Sequence, residues 1–138
     1  MTDLTQLYQD TILTFARRAR DSQRLQNPDA QAAVVNPSCG DEVEIDIKFS
    51  DGVITDLGAK AKGCAICEAA TGYALEALIG QPVKDLSDLP VSIGQFLNQT
   101  RADMPLAGGE AFAVFQHFKS RHSCALLVFE AAAKATRR

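Results

Sequence analysis

The stretch VEIDIKFSDGVITDLGAKA, residues 43–61, decides the fold. Val43, Ile45, Ile47 and Phe49 alternate with Glu44, Asp46 and Lys48, the period-two pattern of a strand with one apolar and one wet face. Ser50-Asp51-Gly52 carries an Asp-Gly turn, and residues 53–61 read as the returning strand. Upstream, the apolar run 32–35 supplies a third short strand before a Pro/Gly turn. Three strands with an apolar face need a cover, and the rest of the chain is helical enough to provide it. The expectation is an α+β fold: a small antiparallel three-stranded sheet packed on one face by helices, with a helix at each end of the chain.

The N-terminal helix is expected to run to about Asp21. Leu4, Tyr8, Ile12, Phe15 and Ala19 recur at helical spacing, and Asp3 with Gln6 resembles a capping box. Arg17, Arg18, Arg20 and Arg24 cluster at its far end, either as a solvated complement to the helix dipole or as a docking patch for an acidic partner. Residues 65–79 form an Ala-rich helix with Ile66, Ala70, Tyr73 and Ala77 on one stripe, its small residues suited to close packing on the sheet. Gly80 and Pro82 mark its end. A weaker helix covers 91–98, a short one opens at Gly109-Glu110, and a last one is expected over 124–135, with Lys134, Arg137 and Arg138 at its carbonyl end.

Length and charge bound the function. A chain of 138 residues is expected to be one domain over 1–138, able to bury roughly two-thirds of its unfolded surface without disulfide staples. Fourteen Lys and Arg against seventeen Asp and Glu leave a net charge of −3, which offers no footprint for nucleic acid and no polybasic membrane patch. No basic n-region with an apolar h-region opens the sequence, and its longest apolar run, 124–129, is far too short to span a bilayer. A cytoplasmic protein is expected, in which four cysteines act as metal ligands or reactive thiols.

Three thiols fall at junctions between elements. Cys39 lies in the turn before the alternating strand, Cys64 at a strand-to-helix junction and Cys124 at the start of the last helix. A helix N-terminus favours the thiolate, and Lys60, Lys62 and Arg121 push the same way. Asp41 stands two residues after Cys39. It either shares an ion with that thiol, one hard donor leaving an exchangeable position among soft ones, or braces the turn by an Asx hydrogen bond. Cys64 and Cys67 form a CxxC, whose second thiol reads as a zinc-like or redox-like partner or as a small buried residue one turn into the helix.

These residues resemble a family. NPSCGD at 36–41, KGCAIC at 62–67 and RHSC at 121–124 are similar to the three cysteine motifs of the NifU/IscU/SufU-type iron–sulfur cluster assembly proteins, and LYQDTIL at 7–13 resembles the family's opening helix. The gap from Cys64 to Cys124, more than twice that from Cys39 to Cys64, is like that of the SufU branch. The resemblance implies that Cys39, Asp41, Cys64 and Cys124 hold zinc or an iron–sulfur cluster. It implies that Cys39 accepts persulfide sulfur from a cysteine desulfurase of the SufS/IscS type, with Arg121 matching the arginine before the last cysteine. It also implies a scaffold, or a zinc-dependent sulfur carrier, that serves recipient iron–sulfur apoproteins.

The chain departs from the pattern at several positions. Ser123 stands where IscU-type scaffolds have His, and His122 lies one residue further back as a further candidate ligand. Cys67 replaces the usual Ser, Lys119 a common Pro, and TFARRARDSQ at 14–23 the usual loop after the first helix. Two other classes compete with cluster assembly: a structural zinc domain with a partner surface, and a thiol redox protein working through Cys64 and Cys67.

Overall fold

The computed structural model describes residues 4–137; Asp3, the expected cap of the first helix, and Arg138 lie outside the described residues. The elements are α1 (Leu4–Arg20), β1 (Ala30–Val35), β2 (Glu42–Ser50), β3 (Val53–Lys62), α2 (Ala65–Ala77), α3 (Leu89–Leu97), α4 (Gly109–Phe112) and α5 (His122–Thr136). Short 3-10 turns at Val83–Asp88, Ala113–His117 and Lys119–Arg121 lie between the later helices. The sheet is antiparallel throughout, in the order β1-β2-β3. Among the described residues no helix is long and apolar enough to cross a membrane.

Ser50 pairs with Val53 across a two-residue turn in which Asp51 and Gly52 both take positive φ, 54° and 75°. That turn's twist matches the twist of the strands it joins, so the Asp-Gly pair fixes the register of β2 on β3. The register places Val43, Ile45 and Ile47 on the same face as Ile54, Leu57 and Ala59, all of them buried. α5 lies against β1 and β2, while α2 lies against β3. Phe112 sits among Tyr73, Phe115 and Phe129, with ring centroids 4.9, 4.9 and 5.8 Å away.

The small residues of α2 serve a different neighbour from the one expected. Their main partners are α1 and α5, with less of the helix on the sheet. At Gly72 a Cβ would stand 1.8 Å from the carbonyl oxygen of Phe15, so the backbones of α1 and α2 meet there. The last helix also starts two residues earlier than expected, which puts Cys124 inside its first turn.

The outer face of the sheet is not wet throughout. Asp46, expected on that face in water, is 0% exposed. Arg24 grips it from the segment after α1, Nε donating to Oδ2 at 2.6 Å and Nη2 to Oδ1 at 2.7 Å. The Leu25 N–H and the Gln31 side-chain amide donate to the same carboxylate at 3.0 and 2.8 Å, and Arg24 also pairs with Glu44. Gly58 faces Asp46 in register, and a Cβ there would come within 2.3 Å of the Gln23 carbonyl oxygen. The segment after α1 therefore lies flat over Asp46, which no strand pattern could reveal. Arg18 and Arg20 face Glu76 and Glu68 at 4.0 and 3.0 Å, so most of the arginine cluster is engaged within the chain rather than offered to a partner.

The hydrogen bonds from Arg24 hold the Asp46 carboxyl below its ordinary range against the effect of burial. Its contribution is therefore full above the unfolded carboxylate range, near pH 4, and drains as pH falls toward its lower folded value. Arg24→Ala leaves a buried carboxylate short of its cation. Urea unfolding should show a loss of about 3 kcal/mol at pH 7. The deficit should shrink toward pH 3, where protonation relieves the unpaired charge; a deficit independent of pH would contradict the clamp.

Candidate metal centre

Three elements deliver the site. β1 ends at Val35 and the chain turns at once: the Gly40 N–H donates to the Asn36 carbonyl at 2.7 Å, and the Asn36 N–H to the Asp41 carbonyl at 2.7 Å. Gly40, with φ 80°, lets this tight loop close. The loop presents Cys39 to solvent and turns Asp41 inward, 6% exposed. β3 ends at Lys62, and Cys64 caps α2 without a side-chain cap hydrogen bond, half-buried. Cys124 sits in the first turn of α5 and is 2% exposed.

The ligand atoms of Cys39, Asp41 and Cys124 lie within 4.8 Å of one another. The sulfurs of Cys39 and Cys124 are 3.7 Å apart. Two thiolates on one tetrahedral zinc, at the usual Zn–S length, stand about 3.8 Å apart. The thiol and backbone N–H of Cys64, like the thiols of Cys124 and Cys39, act on the Asp41 carboxylate, but Cys64 lies outside the group of three that converge within 4.8 Å. Burial works against the Asp41 anion, yet these donors hold its carboxyl below the ordinary range. Asp41 Oδ2 is buried with no partner in hydrogen-bonding geometry. An unpartnered carboxylate oxygen among three thiols is costly unless a cation faces it, so the donor set fits a metal ion.

The protonation of Cys124 differs from expectation. Burial, and then the neighbouring Asp41, push its thiol above the ordinary value despite the helix N-terminus. Burial, with the hydrogen bond to the Asp41 carboxylate, outweighs the partial charge of the helix end. Lys60 and Lys62 stand in register opposite Glu44 and Glu42 on the sheet. A bound metal ion reverses this balance, because a ligating thiol loses its proton.

The remaining candidates fall outside the group. The His122 ring pairs through Nε2 with the Gln116 carbonyl at 3.2 Å. Cys67 is 0% exposed, and burial pushes its thiol up to about 12, so the CxxC lacks an accessible second thiol. Arg121 is exposed at the start of α5 and makes no ion pair among the described residues. Two residues passed over in the sequence shape the site. Asn36 closes the Cys39 loop, and Gly63 packs on Asp41, where a Cβ would come within 2.4 Å of the carboxyl carbon. The Asn-Pro pair at 36–37 is a turn signal, but nothing local to Gly63 marks its contact with Asp41.

Gly63→Ala should push the Asp41 carboxylate out of place while leaving the sheet and helices intact. A competitive zinc titration should show affinity lowered about 10–100-fold with the metal-free unfolding midpoint nearly unchanged. Unchanged zinc affinity would show that Asp41 does not need its present position.

The chain and its fold have relatives among known proteins. Residues 7–125 match the model of the NifU-like N terminal domain. The iron–sulfur cluster assembly scaffold protein IscU of Thermotoga maritima is 31% identical over 83 residues, 60% of this chain and 58% of that protein, so the match spans little more than half of that relative. The zinc-dependent sulfurtransferase SufU of Bacillus subtilis is 23% identical over 134 residues, 96% of this chain and 90% of that one. The crystal structure of a NifU-like protein (N-terminal) from Brucella abortus superposes with a TM-score of 0.80 at 29% identity, covering 94% of this chain and 92% of that one. The match over residues 7–125, with three cysteine motifs in order and the three-stranded sheet, places the chain in one family: it belongs to the NifU-like N-terminal domain proteins.

Proposed function

We propose that this chain works in iron–sulfur cluster assembly as one unit over residues 1–138, holding a metal ion with Cys39, Asp41, Cys64 and Cys124 and accepting sulfur on Cys39. One observation carries the reading: Cys39, Asp41 and Cys124 converge within 4.8 Å, with Asp41 Oδ2 buried and unpartnered. The metal, when bound, keeps the ligating thiols deprotonated at neutral pH. Within the set Cys39 is exposed and Cys124 buried, so Cys39 is the sulfur a partner can reach.

The donor of sulfur is a cysteine desulfurase carrying a persulfide. The Cys39 thiolate attacks the outer sulfur, a new S–S bond forms on Cys39, and the desulfurase cysteine leaves as a thiolate. The exchange needs no external oxidant or reductant. Arg121, exposed three residues before Cys124, offers positive charge to the anionic persulfide. Recipient iron–sulfur apoproteins take the sulfur or the cluster onward.

Zinc is the metal this reading favours. Where IscU-type scaffolds have His, Ser123 here accepts a hydrogen bond from Asn36 at 3.0 Å, which leaves a set of thiols and one carboxylate. A purely structural zinc domain is less well supported, since Ile45, Ile47, Phe112, Phe115 and Phe129 build a core independent of the thiols.

Cys39→Ala should abolish sulfur acceptance from a desulfurase, read by intact mass as the gain of one sulfur atom per chain. Undiminished transfer to that variant would contradict Cys39 as the acceptor.

A further inference from the structure

Asn36 is polar, 5% exposed and placed where the Cys39–Asp41 loop meets α5. Every hydrogen-bonding group on it is used. Its backbone N–H and carbonyl close the loop on Asp41 and Gly40, each at 2.7 Å. Its side-chain oxygen accepts from the Ser38 N–H at 3.0 Å, which sets the turn that carries Cys39. Its side-chain nitrogen donates across to α5, to Ser123 Oγ at 3.0 Å and toward the Cys124 sulfur at 4.0 Å.

We infer that Asn36 and Ser123 form a latch that positions Cys39 and Asp41 against Cys124, with the Asn36 amide as a hydrogen-bond donor to the Cys124 sulfur. The latch joins the two elements across 87 residues of chain, and the Cys39–Cys124 sulfur separation of 3.7 Å is the dimension it sets. Ser123 thereby has a defined task at the position next to a ligand. Its hydroxyl takes one N–H of the amide and aims the other at sulfur, which orients the ligand and tempers the charge on it. Asn36 and Ser123 are positioning residues. α5 is held to the sheet independently: it packs on β1 and β2, and Lys134 donates to the Ala33 carbonyl at 3.0 Å. The latch can therefore be opened without unfolding the chain.

The inference rests on the metal-site reading for one of its readouts and is independent of it for the other. Asn36→Asp keeps the size, the backbone bonds and the acceptor for Ser38, and removes only the two donors while adding a negative charge. Ser123→Ala removes one acceptor, and Ser123→Thr restores it. In titrations of the full chain with cobalt(II), then zinc, Asn36→Asp should weaken binding by about tenfold or more and shift the thiolate-to-cobalt charge-transfer band. Ser123→Ala should do so in part and Ser123→Thr should recover it, with the metal-free unfolding midpoints of the two Ser123 variants alike. Wild-type affinity and spectrum in both Asn36→Asp and Ser123→Ala would overturn the latch.

The second readout uses metal-free protein in glutathione buffers, where Cys39 and Cys124 lose two protons and two electrons to oxidised glutathione and form a disulfide. Peptide mass mapping gives the equilibrium constant. Asn36→Asp should lower it about tenfold, because the loop no longer holds the two sulfurs together; an unchanged constant would overturn the latch. Absence of cobalt–thiolate bands in the wild type would instead contradict the metal reading and leave the glutathione result to decide the latch.

Discussion

A carboxylate taken out of water into a cluster of thiols is the constraint on which the rest of this structure depends. Asp41 is 6% exposed, and one of its oxygens has no partner in hydrogen-bonding geometry. Such an arrangement is unfavourable in isolation, and in proteins it persists where a positive charge is supplied or where the surroundings leave the group no other place. Cys39 and Cys124 converge with the carboxylate within 4.8 Å, and Cys64 acts on it from the start of α2.

The scaffold holds that cluster by fixing three chain ends separately. The Asp51-Gly52 turn sets the register of β3, which ends at Lys62 one residue before Gly63 and Cys64. Gly72 brings α1 and α2 together at backbone distance, so α2 and the Cys64 cap that starts it have little room to shift. α5 is anchored by Phe129 and its alanine face in the core, so its first turn, with Cys124, is presented to the β1–β2 loop. Rigid elements carry Cys64 and Cys124, whereas a short loop carries Cys39 and Asp41. That division suits a site in which one exposed sulfur exchanges its partner while the less exposed ones stay in place.

What could be read from the sequence was what local pattern encodes. The alternation from Val43 to Phe49, the Asp-Gly turn and the Gly80/Pro82 stop are neighbours in the chain, and each element they mark is present. The thiols were legible too, because Cys39, Cys64 and Cys124 all fall at element junctions beside glycine or a helix start. Asp46 was misread because its burial depends on Arg24, which belongs to a segment with no periodic signal. The same limit hid Asn36 and Gly63: their roles lie in contacts with Ser123 and Asp41 that only the folded chain creates. The expectation of a favoured Cys124 thiolate weighed the helix end and Arg121 but not the carboxylate that the β1–β2 loop sets against it.

The central claim is that these three thiols and one carboxylate hold a metal ion. Elemental analysis tests it most directly, on protein purified without oxygen and without a metal-affinity column. The account predicts about one zinc ion per chain. Protein that carries no metal, and takes up none when zinc is offered in equal amount, would contradict it.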